Sequence, residues 1–185
     1  MVYVALLRGI NVGGKNKVDM KLLKQAFERV GMNAVVTYIN SGNIIFTNDS
    51  HSKDKLPFIL EEAIHTSFGL SIKVLVLSRD EIKKVMNALP ESWINDEQMR
   101  SEVMFLWDEV NDESVLDKLV IKPDIDKVKY VNGAILWSVD RNHATKSGMQ
   151  KLIGSKVYQQ MTIRNVNTTR KIYELMQGSN SICDK

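Results

Sequence analysis

The opening of the chain joins an uninterrupted hydrophobic segment to a polar loop that is too long for a simple connection. Residues 2–7 are all hydrophobic, and residues 9–18 hold three glycines, two asparagines and two lysines. Side chains that are hydrophobic on both faces predict a strand buried on both sides. Loops held by a rigid strand are where binding residues concentrate. We therefore expect the loop, with Arg8 at its start, to be the main candidate site.

The first 78 residues predict the element order β-α-β-β-α-β. Helices are expected to follow Asp19, which can cap a first turn, and to cover 56–68, with Gly31 and Gly69 as their stop signals. Strands are expected over 2–7, 34–39, 43–47 and 72–77. This order is that of the split βαβ, or ferredoxin-like, unit, whose sheet has the strand order 4-1-3-2.

The second half predicts a similar order of elements. A capping box at 78–81 starts a helix, and Asn132-Gly133 is a strong hairpin signal. Strands are expected at 102–107, 127–131, 134–139 and 161–164, with an acidic helix over 111–119 and a short helix over 146–153. A last helix is expected from a cap at Asn167 to Met176, with Gly178 after it. The fold class is therefore α+β, with two ferredoxin-like units at 1–78 and 79–185 and an additional C-terminal helix.

In this topology the loop after the first strand and the turn before the third strand lie at the same end of the sheet. Main-chain N–H groups and cationic side chains could form an anion site there. Its candidate residues are Arg8, Asn11, Gly13, Gly14, Lys15, Asn40, Ser41 and Asn43. The sequence resembles a phosphate-binding G-x-x-x-x-G-K loop but has Asn16 where that motif needs Ser or Thr. The alternative is a loop shaped only by its packing.

A second cluster, Arg164, Asn165 and Asn167, could bind a carboxylate or a phosphate, because guanidinium and amide groups are directional hydrogen-bonding groups. The alternative is structural. In that interpretation Asn167 or Thr168 caps the last helix and Arg164 pairs with an acidic side chain.

Other site chemistries find little support in the sequence. His51, His65 and His143 lack ligand spacing, and Cys183 is the single cysteine, so we expect no metal site. No cofactor motif, membrane span or disulfide framework is recognisable, which favours a cytoplasmic protein. Residues 80–126 carry 13 acidic and 5 basic side chains, whereas residues 141–173 carry 7 basic and none acidic. These segments could neutralise each other, or the basic one could face an anionic ligand.

Four segments of the chain resemble a bacterial family known as domain of unknown function 1697. They read ALLRGINVGGKNKV, TYINSGNIIF, GSKVYQQ and MTIRNVNT. The resemblance implies two ferredoxin-like plaits and implies no activity. Val166 stands where the family pattern leads us to expect an aromatic residue, while Arg164, Asn165, Asn167 and Thr168 match it.

The function that the sequence favours is binding of a small anionic or phosphate-bearing ligand, such as a nucleotide, at the glycine-rich loop. Nucleic acid is a less favoured partner. The alternative is a non-catalytic interaction or structural protein, for instance a homodimer. The residues indicate no particular reaction and no oligomeric state.

Overall fold

The computed structural model describes residues 1–178. These residues divide into two compact units. The first unit holds Met1–Asp80 together with residues 172–178, and the second holds Glu81–Lys171. The fold is α+β, with one four-stranded antiparallel sheet in each unit.

The first sheet has the strand order β2-β3-β1-β4, with β1 paired to both of its neighbours. Its strands and helices are β1 (Val2–Leu7), α1 (Met20–Arg29), β2 (Asn33–Tyr38), β3 (Asn43–Thr47), α2 (Leu56–Phe68) and β4 (Val74–Ser78). Read from its other edge, this is the predicted order 4-1-3-2, so that prediction is confirmed. Strand β1 is one of the two inner strands of this sheet, and it is buried along its whole length.

Local signals account for the helix ends in this unit. Asp19 accepts a hydrogen bond from the Leu22 N–H and caps α1, as predicted. Gly69 adopts a left-handed conformation at the end of α2, where its N–H donates to the His65 oxygen. The helices pack Leu23, Phe27 and similar apolar side chains onto one face of the sheet. The core therefore fixes the strand ends from which the candidate loops leave.

The second sheet has the strand order β6-β7-β5-β8. Its strands and the helices beside them in sequence are α3 (Arg79–Ala88), β5 (Met99–Leu106), β6 (Lys127–Val131), β7 (Ala134–Asp140), β8 (Met161–Asn165) and α4 (Val166–Gly178). Strands β6 and β7 join at Asn132-Gly133 as the hairpin signal predicts, with Gly133 at φ 95°. Trp137 is fully buried in the core of this unit.

Two predicted helices of the second half are shorter than predicted and are 3₁₀ helices instead of α-helices. Residues 111–119 contain a 3₁₀ helix over Glu113–Lys118, and residues 146–153 contain one over Gly148–Lys151. The cause is local: Asp112 accepts from the Ser114 N–H, and Ser147 accepts from the Met149 N–H. Such side chains satisfy the backbone in short turns and compete with a continuous α-helix.

The last helix also differs from its prediction. It begins at Val166, and its capping side chain is Asn165, whose Oδ1 accepts the Thr168 N–H at 2.8 Å. The predicted cap at Asn167 is therefore wrong by two residues. The helix continues through Gly178, two residues beyond the predicted end. The predicted polar tail that contains Cys183 lies outside the described residues. None of the helices within residues 1–178 has the length and apolar character that a membrane span requires.

Candidate functional site

The glycine-rich loop and the turn between β2 and β3 are bonded to each other. The Asn11 side-chain amide donates to the main-chain oxygen of Asn40 at 2.9 Å and to that of Val18 at 3.0 Å. Its oxygen accepts the Val18 N–H at 2.8 Å. One side chain therefore closes the loop on itself and fastens it to the neighbouring turn. The two segments that the topology predicts to converge do so.

Gly42 brings the same turn against the end of β1. A Cβ at this position would lie 2.7 Å from the Leu7 Cβ and 2.9 Å from the Ile10 Cδ1, closer than real Cβ contacts. Its φ of 81° also lies in the left-handed region that favours glycine. Both constraints act on one residue, so only glycine fits here without strain.

The register of the sheet places Arg8 and Asn43 at the same end but does not pair them. Asn43 pairs with Leu6, and the Leu7 N–H donates to the Gly42 oxygen at 2.9 Å. The Arg8 N–H donates instead to the Lys73 oxygen at 3.0 Å, toward β4. The antiparallel pairing of the first and third strands predicts Arg8 directly opposite Asn43. This prediction is wrong, because the residue opposite Asn43 is Leu6, two positions before Arg8.

A tight turn, Val12–Lys15, projects from the loop, and we call it the glycine turn. The Lys15 N–H donates to the Val12 oxygen at 3.0 Å, and Gly13 and Gly14 have φ values of 57° and 77°. All four residues are exposed. Within residues 1–178 the N–H groups of Gly13 and Gly14 have no hydrogen-bond acceptor, and the Lys15 ammonium group has no partner. The glycine turn therefore presents donors to solvent.

Asn43 contributes to the scaffold of the turn. It is fully buried, and its side-chain amide donates to the Tyr38 oxygen and to the Ser41 hydroxyl, both at 3.0 Å. Asn16, next to the glycine turn, similarly donates to the Gly9 oxygen at 2.9 Å. Of the predicted first-unit residues, Asn11 and Asn43 thus hold the loops in place. Arg8 and Ser41 are half-buried, and Asn40 is exposed.

Arg164 and its neighbours lie in the second unit, on β8 and α4. The Arg164 guanidinium is buried, and its Nη1 donates to the Thr162 hydroxyl at 3.0 Å and to the Ile163 oxygen at 2.8 Å. Burial lowers the pKa of this guanidinium to about 10. Asn165 caps α4. The Asn167 side-chain N–H donates to the main-chain oxygen of Asn95, and the Asn167 side-chain oxygen accepts the Asn95 N–H. The cap that the structural alternative assigned to Asn167 or Thr168 is thus made by Asn165, whereas Asn167 is bonded to the connection between α3 and β5.

A buried carboxylate that is not among the predicted site residues, Asp126, connects several segments of the second unit. Asp126 accepts hydrogen bonds from the Trp137 indole, the Ser147 hydroxyl, and the main-chain N–H groups of Lys122 and Gly148. Burial raises the pKa of its carboxyl, but these hydrogen bonds outweigh burial and hold the pKa below its ordinary value. The only sequence signal for this role is the position of Asp126 directly before a strand. Aspartates are common at such loop positions, so the position alone does not indicate a buried carboxylate.

A small cavity of about 30 Å³ lies beside this carboxylate. Trp137, Gly148 and Ser155 form part of its wall, together with Lys118 and Leu152. A volume of this size accommodates about one or two water molecules. The cavity is therefore too small for a nucleotide or another cofactor.

The acidic and basic segments of the chain meet within the second unit, but mainly through main-chain oxygens. Arg141 donates to the Asp96 oxygen and, at 3.2 Å, to the Asn95 side chain. Arg170 donates to the Pro90 oxygen at 3.0 Å. The basic side chains thus hold the polar connection between α3 and β5. Within residues 1–178 no group of three or more His, Cys, Asp or Glu side chains could hold a metal ion.

Comparison with known proteins places the chain in a family. A solved structure described as the conserved bacterial protein SP0830 from Streptococcus pneumoniae is similar over 95% of this chain and 98% of its own, with 31% identity and a TM-score of 0.81. None of the curated proteins matches. The family model described as protein of unknown function DUF1697 matches residues 1–137. The chain therefore belongs to the DUF1697 family.

Proposed function

We propose that this protein binds a small anionic or phosphate-bearing ligand, such as a nucleotide, at the glycine turn. The observation that carries the proposal is the pair of exposed N–H groups at Gly13 and Gly14, which have no acceptor within residues 1–178. Successive main-chain N–H groups in a turn form concave sites that attract anions. Glycine at both positions also lets a ligand approach the backbone closely.

The charge around the glycine turn supports an anionic ligand. Residues 8–24 carry five cationic side chains and one carboxylate, a net charge of +4. The carboxylate is Asp19, whose oxygen already accepts the Leu22 N–H at the start of α1. Lys15, the last residue of the turn, and Lys17, two residues beyond it, are both exposed. A local excess of positive charge raises the concentration and the association rate of anions.

The anchoring of the loop favours binding as well. Asn11 and Asn16 hold the two ends of the glycine turn, and Gly42 packs against the strand that carries it. A loop that is already ordered loses less conformational entropy when a ligand binds. We therefore assign direct contact to Gly13, Gly14 and Lys15, with Arg8, Asn40 and Ser41 around them. Asn11 and Asn43 act as scaffold.

We assign no direct ligand contact to the second cluster of predicted residues, Arg164, Asn165 and Asn167. Asn165 and Asn167 use their amides in the α4 cap and the Asn95 contact, so their part in ligand binding stays a prediction. Arg164 is 7% exposed, which leaves little of its guanidinium for a ligand.

We further propose that both units are ferredoxin-like and that the domains divide at residues 78 and 79. The support is that the second sheet repeats the strand order of the first, with β5 to β8 in the places of β1 to β4. The additional helix is α4. A cytoplasmic location stays a prediction from cysteine usage.

The test is a titration of the full ¹⁵N-labelled chain with pyrophosphate, ATP and a short oligonucleotide. We expect amide shifts at Gly13 and Gly14, and an affinity that falls as salt rises. A variant with Lys15→Ala and Lys17→Ala should bind about tenfold more weakly, since two exposed charge interactions of about 0.7 kcal/mol each sum to about 1.4 kcal/mol. The matched control is Lys83→Ala with Lys84→Ala, two exposed lysines on α3. The proposal would be contradicted if the amide resonances of Gly13 and Gly14 did not shift on titration. It would also be contradicted if the Lys15/Lys17 variant and the Lys83/Lys84 variant bound with equal affinity.

The alternative is a non-catalytic interaction or structural protein without a small ligand. The observation that favours it is an exposed, uncharged strand at the edge of the first sheet.

A further inference from the structure

The two sheets together have four edge strands, and they differ in exposure. Strands β4 and β8 bury most of their residues, whereas β2 and β6 expose residues along their length. An exposed edge presents unpaired N–H and C=O groups to any other strand that can reach it. The strands β2 and β6 are therefore the edges on which another chain could add a strand.

Charge distinguishes these two edges. Strand β6 carries Lys127 and Lys129, and lysines on an edge are a common protection against unwanted pairing. Strand β2 reads NAVVTY, and no charged residue occurs from Val30 to Asn48. In a chain with 25% charged residues this neutral stretch is long. The β2 edge thus lacks the charge that protects the β6 edge.

The hydrogen-bonding pattern identifies the main-chain groups at this edge. The bond from the Leu7 N–H to the Gly42 oxygen fixes the alternation along β3, so Ile45 and Asn43 direct their main-chain groups toward β2. Their partners on β2 are Val36 and Tyr38. By the same alternation the N–H and C=O of Thr37 point away from the sheet. Thr37 is therefore the centre of the available edge.

We propose that the β2 edge binds a second copy of this chain, forming a two-fold dimer in which the β2 strands run antiparallel. A two-fold axis at Thr37 lets the two Thr37 residues exchange both of their main-chain hydrogen bonds. The same register places Val36 of one copy opposite Tyr38 of the other. Val36 is 40% exposed, and Tyr38 is half-buried. Pairs of β-branched and aromatic side chains stabilise neighbouring strands.

The second copy suits this edge because a neutral strand places no like charges opposite each other when it pairs with itself. The same arrangement at β6 would bring its lysines together. The available edge is short, since the register shifts between Asn33 and Val36 and Ala34 has a φ of 48°. A bulge of this kind ends pairing. We therefore expect a weak dimer with a dissociation constant on the order of 10 to 100 µM.

The test is sedimentation velocity of the full chain from about 1 µM to about 1 mM. We expect a monomer–dimer equilibrium in the natural protein. Thr37→Pro should abolish it, because proline removes the outward N–H and is tolerated at an edge position whose N–H faces solvent. Val36→Lys is a second variant, which adds a charge on an exposed side chain. Thr37→Val keeps the N–H and should dimerise like the natural protein.

A thermal melt confirms that each variant is folded before its mass is compared. A natural protein that stays monomeric over the whole range overturns the proposal. A dimer that persists in folded Thr37→Pro and Val36→Lys also overturns it, because another surface must then be responsible. The variant with Lys15→Ala and Lys17→Ala should dimerise normally. The dimer and the anion site can therefore fail independently.

Discussion

Asn11 and Asn40 are joined by a hydrogen bond of 2.9 Å from the Asn11 amide to the Asn40 main-chain oxygen. Twenty-nine residues separate them in sequence. The bond connects the loop that leaves β1 to the turn that enters β3. The Asn11 side chain therefore contributes directly to the position of the glycine turn relative to the sheet.

Asn11→Ala removes this bond and the two bonds to Val18. It also puts alanine at a φ of 52°, in the left-handed region that asparagine tolerates better. We expect a loss of about 1–3 kcal/mol in the free energy of unfolding, measured by urea denaturation. Asn16→Ala, which removes one exposed hydrogen bond, is the control and should lower the free energy of unfolding by less. Equal losses for the two variants would show that Asn11 has no special part in holding the loop.

Gly42→Ala tests the contact between the turn and the end of β1. The new methyl group would meet Leu7 and Ile10 and would stand at a positive φ. We expect a loss of about 2–4 kcal/mol, from backbone strain and overpacking together. Gly31→Ala is the matched control, because Gly31 has a φ of 89° with nothing within 4 Å of the added Cβ. Thermal unfolding should separate the two variants, and indistinguishable melting temperatures would contradict the steric explanation.

Gly148→Ala tests packing in the second unit at a residue whose φ lies outside the left-handed region. The added Cβ would lie 1.6 Å from the main-chain oxygen of Val120, which cannot move aside as a side chain can. We expect a loss of about 3 kcal/mol or more. Gly154→Ala is the control, since its nearest atom is 4.0 Å away. Circular dichroism during denaturation measures the free energy of unfolding of both variants. A Gly148→Ala protein as stable as the Gly154→Ala protein would show that this contact relaxes easily.

Asp126 makes the stability of the second unit depend on pH. Its folded-state pKa lies below the ordinary value of 3.8. The stability from its hydrogen bonds is therefore fully present above that value and is lost as pH falls through the folded-state pKa. Asp126→Asn should lower the free energy of unfolding at pH 7 by about 1–3 kcal/mol.

The variant should also lose less stability on acidification, because the titrating group has been removed. Denaturation curves from pH 7 down to about pH 3 measure this difference. Parallel pH profiles for the two proteins would show that Asp126 does not contribute to the acid sensitivity.

The sequence by itself determined the first sheet and the meeting of its two loops. Alternating strand and helix signals, with stop residues such as Gly31 and Gly69, predict one order of elements, and that order has few compact topologies. The topology then brings the glycine-rich loop to the turn at 40–43. Family membership was equally readable, because two of the four family-like segments lie in this first unit.

Only the tertiary structure decided what each polar side chain does. Asparagine suits a cap, a loop clamp and a ligand contact equally well, so its role depends on which main-chain groups lie within reach. Asn165 rather than Asn167 caps α4, and Asn43 is buried as scaffold. Asp126 finds its donors on Trp137 and Gly148, which are distant in sequence. Register and packing fix these distances, and a linear pattern of residue types does not contain them.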